Sequence, residues 1–103
     1  MRSLRGGQGK DQDMSVKVHL HLTLRQHTNG QEIVEVEGAT VGECLKNIIK
    51  TFPGLESALF DKKGKLNNVV EIYLNLQSAY PDELAKRVKD GDDIHVTLML
   101  AGG

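Results

Sequence analysis

The chain has 103 residues, 39% of them apolar and 26% charged, with a formal net charge of −1 and one cysteine; it fits a single small globular domain with a thin core. The near-neutral balance and the sparse aromatics, Phe52, Phe60, Tyr73 and Tyr80, supply neither a basic field for phosphates nor a platform for stacked bases, so no nucleic acid is expected as a partner. Cys44 alone rules out an internal disulfide, no apolar run reaches the roughly 18 residues of a membrane span, and no signal-peptide core precedes the domain, so no membrane is expected and the expected address is a reducing cytoplasm.

Residues 1–13, MRSLRGGQGKDQD, show no periodicity and read as a disordered leader or cloning remnant ahead of a domain on residues 14–103. From Val16 the pattern alternates: Val16, Val18, Leu20, Leu22 and Leu24 face one way, Lys17, His19, His21, Thr23 and Arg25 the other, predicting a half-buried strand. Asn29-Gly30 is a strong hairpin signal, with Ile33 to Glu37 returning as the second strand. Thr40 and Glu43 form a Thr-x-x-Glu capping box, and Val41, Cys44, Leu45, Ile48, Ile49 and Phe52 make one helical apolar stripe. Phe52-Pro53-Gly54 ends this helix, with Gly54 expected to supply the reversal, and Leu55 to Phe60 can add a short second turn.

After the turn Lys62-Lys63-Gly64-Lys65, a strand is predicted from about Val69 to Leu76, with Val70, Ile72, Leu74 and Leu76 on one face and Glu71, Tyr73 and Asn75 on the other. Pro81 to Val88 reads as a short crossover. Asp90-Gly91-Asp92-Asp93 then turns into a last strand with Ile94, Val96, Leu98 and Leu100 inward and His95, Thr97 and Met99 outward. Amphipathic strands and one amphipathic helix pack simply: the apolar sheet face covers the helix stripe and the other face meets water. The expected fold is α+β, a β-grasp with a mixed four- or five-stranded sheet, its last strand central and parallel to the first.

The final Ala101-Gly102-Gly103 has little value to a fold, because glycine is the costliest residue to order. Together with the capping-box helix running into Phe52-Pro53-Gly54-Leu55, the strand "EIYLNL" with Asn75 and the turn "DGDDI", it resembles the ubiquitin-like sulfur carriers represented by the molybdopterin synthase small subunit and the thiamine-pathway carrier, over about residues 14 to 103. Leu98-Met99-Leu100 stands where molybdopterin-type members often carry proline or aromatic residues, and is similar to thiamine-type carriers at least as well.

The resemblance implies a carrier and not an enzyme. Its C-terminal carboxylate at Gly103 would be adenylated by an E1-like activating enzyme using ATP and converted to a thiocarboxylate, with no cofactor bound to the carrier itself. A sulfur-transfer enzyme and a large synthase subunit are further implied partners. Ala101 and Gly102 would thread into the activating site, since each extended residue spans at most about 3.3 to 3.6 Å and Gly-Gly lets a partner's backbone approach closely. Met99, Tyr73 and Leu100 are the expected partner contacts, as apolar surface beside the tail. Two alternatives share the fold: a ubiquitin-like modifier joined to lysines through Gly103, and a non-covalent β-grasp adaptor.

Two other groups invite chemistry. Cys44 lies in the helix's apolar stripe and reads as a small buried hydrophobe, not a sulfur donor. His19, His21 and His95 share the open face and could cluster around a transition metal, but solvated sheet residues are the plainer reading because no carboxylate or thiol is obviously arranged with them; no metal site is expected. Nor does the sequence offer a nucleophile triad, paired carboxylates or a phosphate loop, so no catalytic residue is assigned.

Overall fold

In the computed structural model, which describes residues 15–99, the alternating runs become a five-stranded sheet in the order β2-β1-β5-β3-β4. β1 (Ser15–Leu20) pairs antiparallel with β2 (Ile33–Glu37) and parallel with β5 (Asp93–Leu98). β5 in turn pairs antiparallel with β3 (Val70–Leu74), which carries the two-residue β4 (Gln77–Ser78) on its outer side. The last strand is therefore central and parallel to the first, the β-grasp arrangement that the pattern predicts.

One helix, α1 (Val41–Thr51), lies across the sheet, followed at once by the short α2 (Leu55–Leu59). Thr40 caps α1 by accepting the Glu43 N–H at 3.1 Å, while the Glu43 carboxylate reaches back to the Ala39 N–H at 2.8 Å, one residue earlier than a reciprocal box requires. The buried faces of both layers meet in one core: Val16, Val18, Ile94 and Val96 from the sheet are fully sealed against Val41, Cys44, Leu45 and Ile48 of α1 and Leu55 and Leu59 of α2. β2 resolves its imperfect alternation by burying Val34 and Val36 and turning Ile33, 44% exposed, outward.

Several expectations are corrected. The first strand stops at Leu20 and does not run to Leu24; Leu22–His27 is a 3-10 helix whose one buried residue is Leu24, so Leu22 is 70% exposed. Asn29 and Gly30 adopt positive φ (55° and 83°) as the pair suggests, yet they close this 3-10 segment and do not form a two-residue hairpin between β1 and β2. Gly54 has φ −63° and supplies no reversal; a Cβ there would sit 2.9 Å from the His27 ring Nδ1, so the glycine permits α2 to pack close to the 3-10 helix. Asn75 and Leu76 do not extend β3. They are the loop of the β3–β4 hairpin, both at positive φ (51° and 71°), between the paired Leu74 and Gln77. The crossover from Pro81 to Val88 holds one 3-10 turn, Glu83–Ala85, and buries Val88. The expected leader, residues 1–13, lies outside the described residues.

Asn75 earns its place by its side chain. Its amide donates to the Asp92 carboxylate at 3.1 Å, its carbonyl accepts the Asp93 N–H at 3.0 Å, and its own N–H donates to the Asp93 carbonyl at 2.9 Å. Leu76 has no such role: it is 78% exposed and sits at φ 71°, where a Cβ is unfavourable. Leu76→Gly would make the loop Asn-Gly, and is expected to raise unfolding free energy by about 1 kcal/mol, measured by urea denaturation; an equal loss would show that the leucine is held by packing.

Candidate functional site

The strand that leads to the C-terminus also runs through the middle of the sheet. β5 carries the chain from a polar pole to an apolar one. At its start, Asp92 is buried and accepts the Lys89 N–H at 2.7 Å, the Gly91 N–H donates to the Ser15 carbonyl at 2.8 Å, and Lys17 N–H to the Asp92 carbonyl at 3.0 Å. At its far end, Met99 follows the strand, 49% exposed, and its N–H bonds the Val69 carbonyl at 2.6 Å. Val69 is itself exposed, as is Leu22 just past the end of β1. Met99 and Val69 form an apolar rim where the chain leaves the sheet, and an open groove of about 510 Å³ beside Met99 adds Leu66, Tyr80, Glu71 and Glu83.

Of the residues assigned from sequence, Met99 stands on this rim, whereas Tyr73 does not. Tyr73 lies opposite His95, four residues before Met99 along β5, or about 13 Å at strand rise. Leu100, Ala101, Gly102 and Gly103 lie outside the described residues. Val69 was hidden from sequence reasoning, because it read as an ordinary strand start.

The histidines divide. His21 caps the 3-10 helix, its ring Nδ1 2.9 Å from the Thr23 hydroxyl and 3.2 Å from the Thr23 N–H. His19 and His95 occupy paired positions on β1 and β5, and their rings stack at 4.1 Å with planes 16° apart. A carboxylate does stand with them, contrary to the sequence reading: His19 Nε2 lies 2.8 Å from the Asp93 carboxylate, because the parallel register sets Asp93 opposite Lys17, two residues away on the same face. No group of three or more metal-ligating side chains occurs among the described residues. Cys44 is sealed in the core, its thiol pushed up to about 11 by burial first and by Glu43 second, so it stays protonated and unreactive at neutral pH.

The hydrogen bond from His19 holds the Asp93 carboxyl below the usual carboxylate range, with His19, Lys17 and His95 charges adding to it. Burial first, and the neighbouring His19 second, push His95 below the ordinary histidine range, against a smaller pull from Asp93. Between the lowered value and the unfolded value of about 6.5, the unfolded chain binds more protons at His95 than the folded chain, so stability falls as pH drops through that window. The Asp93 contribution is lost lower, as pH falls from the unfolded value of about 3.9 through the folded one. His95→Gln is therefore expected to lose less stability than the parent between about pH 7 and about pH 5, read by urea denaturation at each pH; identical losses would place the acid sensitivity elsewhere.

The sequence pattern of the ThiS family matches residues 18–103. The sulfur carrier protein CysO of Mycobacterium tuberculosis is 33% identical over 93 residues, covering 87% of this chain and 100% of the relative. Among solved structures, the BexX/CysO complex of Amycolatopsis orientalis matches with a TM-score of 0.77 at 32% identity, over 85% of this chain and 99% of that one. The small archaeal modifier protein 1 of Methanosarcina acetivorans matches with a TM-score of 0.76 at 26% identity, over 88% and 98%. With the family's pattern spanning most of the sequence and a relative similar along its entire length, the chain belongs to the ThiS family of ubiquitin-like sulfur carriers.

Proposed function

We infer that this chain is a sulfur carrier: an E1-like enzyme adenylates the Gly103 carboxylate with ATP, and the activated carbonyl becomes a thiocarboxylate that donates sulfur in cofactor or metabolite biosynthesis. The observation that carries this reading is the full-length likeness to a sulfur carrier, CysO, in a chain that itself ends in Ala101-Gly102-Gly103. CysO of A. orientalis forms a complex with BexX, which supports a docking role for the same fold here.

A carboxylate is a poor acyl donor because its charge is shared over both oxygens and neither leaves readily. Attack of a Gly103 oxygen on the α-phosphorus of ATP expels pyrophosphate and gives a mixed anhydride. A sulfur nucleophile then adds to the carbonyl and AMP departs. The carrier contributes position: its body is held by the enzyme while Ala101, Gly102 and Gly103 reach roughly 10 Å into the active site. Cys44, protonated and enclosed, plays no part in relaying sulfur. The sulfur-transfer enzyme and any large synthase subunit meet the same C-terminal carbonyl in turn.

Met99, with Val69 beside it, is the docking surface for the activating enzyme, with Leu100, next in sequence, and Tyr73, on β3 opposite His95, as its further contacts. The likeness to a small archaeal modifier protein favours a second reading, transfer of the activated Gly103 to a lysine.

Incubation with the activating enzyme, ATP and a sulfur source should raise the intact mass by the difference between sulfur and oxygen, and removal of Gly103 should abolish the gain. An equal gain without Gly103 would refute the assignment, and a lysine-linked adduct in place of a free thiocarboxylate would select the modifier. Met99→Asp is expected to weaken binding to the activating enzyme about tenfold with an unchanged unfolding midpoint; unaltered affinity would remove Met99 from the interface.

A further inference from the structure

β2 is the outermost strand on its side of the sheet, and among the described residues nothing pairs with its far edge. The register tells which backbone groups face outward. Leu20 N–H donates to the Glu32 carbonyl at 2.8 Å, and Val18 stands opposite Val34 and Val16 opposite Val36. In an antiparallel ladder, pairs that exchange hydrogen bonds alternate with pairs that do not. Val34 and Val36 thus direct their N–H and C=O groups at β1, while Ile33, Glu35 and Glu37 direct theirs away. One outward carbonyl is already satisfied, since the Asn47 amide of α1 donates to Glu37 C=O at 2.5 Å.

Along this edge runs an open groove of about 430 Å³, lined by Ser15, Glu35, Val36 and Glu37 of the sheet and by Asn47 and Thr51 of α1. Val36 supplies apolar surface, and Glu35 and Glu37 put carboxylates on the rim. Ser15 Oγ donates to Glu35 at 3.2 Å. Neither glutamate forms an ion pair among the described residues, and no lysine or arginine lines the groove. The opposite edge of the sheet differs, because β4 and the Ala79 N–H, 2.9 Å from the Ile72 carbonyl, cover much of β3.

We propose that the β2 edge receives an extended peptide segment of a partner protein as an added strand, with lysine or arginine at alternate positions set over Glu35 and Glu37. The free backbone groups recur every second residue, which is the repeat of a strand. Alternate side chains of the added strand meet the glutamates on the open face, and the residues between them turn toward Val36, Asn47 and Thr51. Charge complementarity selects the basic sequence and backbone pairing the extended shape. So short a ladder makes a transient contact. β1 separates this edge from β5, so a peptide bound here leaves the C-terminal rim accessible.

The full-length, isotope-labelled protein is titrated with acetyl-Val-Lys-Val-Lys-Val-Lys-amide and, in parallel, with its glutamate counterpart, following amide chemical shifts. Saturable shifts are expected at Ile33, Glu35 and Glu37 with the lysine peptide alone. Binding should weaken at least about tenfold in the Glu35→Lys, Glu37→Lys double variant, whose core amide shifts should be unchanged because both side chains are exposed. The absence of saturable shifts, equal binding by the variant or the glutamate peptide, or shifts centred elsewhere would overturn the proposal. The same amides moving with protein concentration alone would also overturn it, assigning the edge to a second copy of this chain.

Discussion

The pairing of β5 between β1 and β3 is the constraint on which the rest of the molecule depends. Ile94 and Val96 are fully buried, and the backbone on either side of them is hydrogen-bonded to a neighbouring strand. A central strand so enclosed cannot slip, because a shift of one residue would carry Ile94 and Val96 to the open face and His95 into the core. Its start is fastened by the Asp92, Asp93 and Asn75 network and by the backbone contacts to Ser15 and Lys17. The end of the strand is consequently fixed in direction, and the chain emerges at Met99 between Val69 and the end of β1.

That geometry separates the molecule's tasks. The face toward α1 is devoted to packing, and Cys44 of α1 is sealed against it, with a thiol that burial keeps protonated. The open face carries the His19–His95 stack with Asp93 beside it, a polar cluster on paired strands. The apolar rim lies at the end of β5, and the outer edge of β2 stands apart from it. Under the proposed function, a carrier handed between enzymes must be grasped without its reactive end being covered, and the docking surface proposed beside the end of β5 would meet that demand.

The sequence made α1 legible because capping and periodicity agree there, and the same holds for β1, β3 and β5 where apolar residues alternate. Failures came where a second local rule gives the same spacing. Leu20 and Leu24 are both buried, yet a 3-10 turn and not a continued strand connects them, which alternation cannot distinguish and which exposes Leu22. Asn29-Gly30 signals positive φ correctly but not which segments it joins. Leucine at φ 71° follows no propensity, so the Asn75-Leu76 loop was invisible until the pairing of Leu74 with Gln77 defined it. The His19–Asp93 contact needs the lateral register of two strands far apart in sequence, and periodicity along one strand does not contain it. The role proposed for the Gly-Gly end was suggested by sequence, because such residues contribute so little to folding.

The central claim, that the final carbonyl carries sulfur, is tested most directly on protein isolated from its native host, by intact mass before and after thiol alkylation in denaturant, which exposes Cys44, followed by fragmentation. Cys44 is the one cysteine in the chain, so a second alkylated site must be something other than a cysteine thiol. The account predicts a population bearing that second label at Gly103, with the mass of sulfur in place of oxygen. Labelling confined to Cys44 in protein taken from cells actively using the pathway would contradict it.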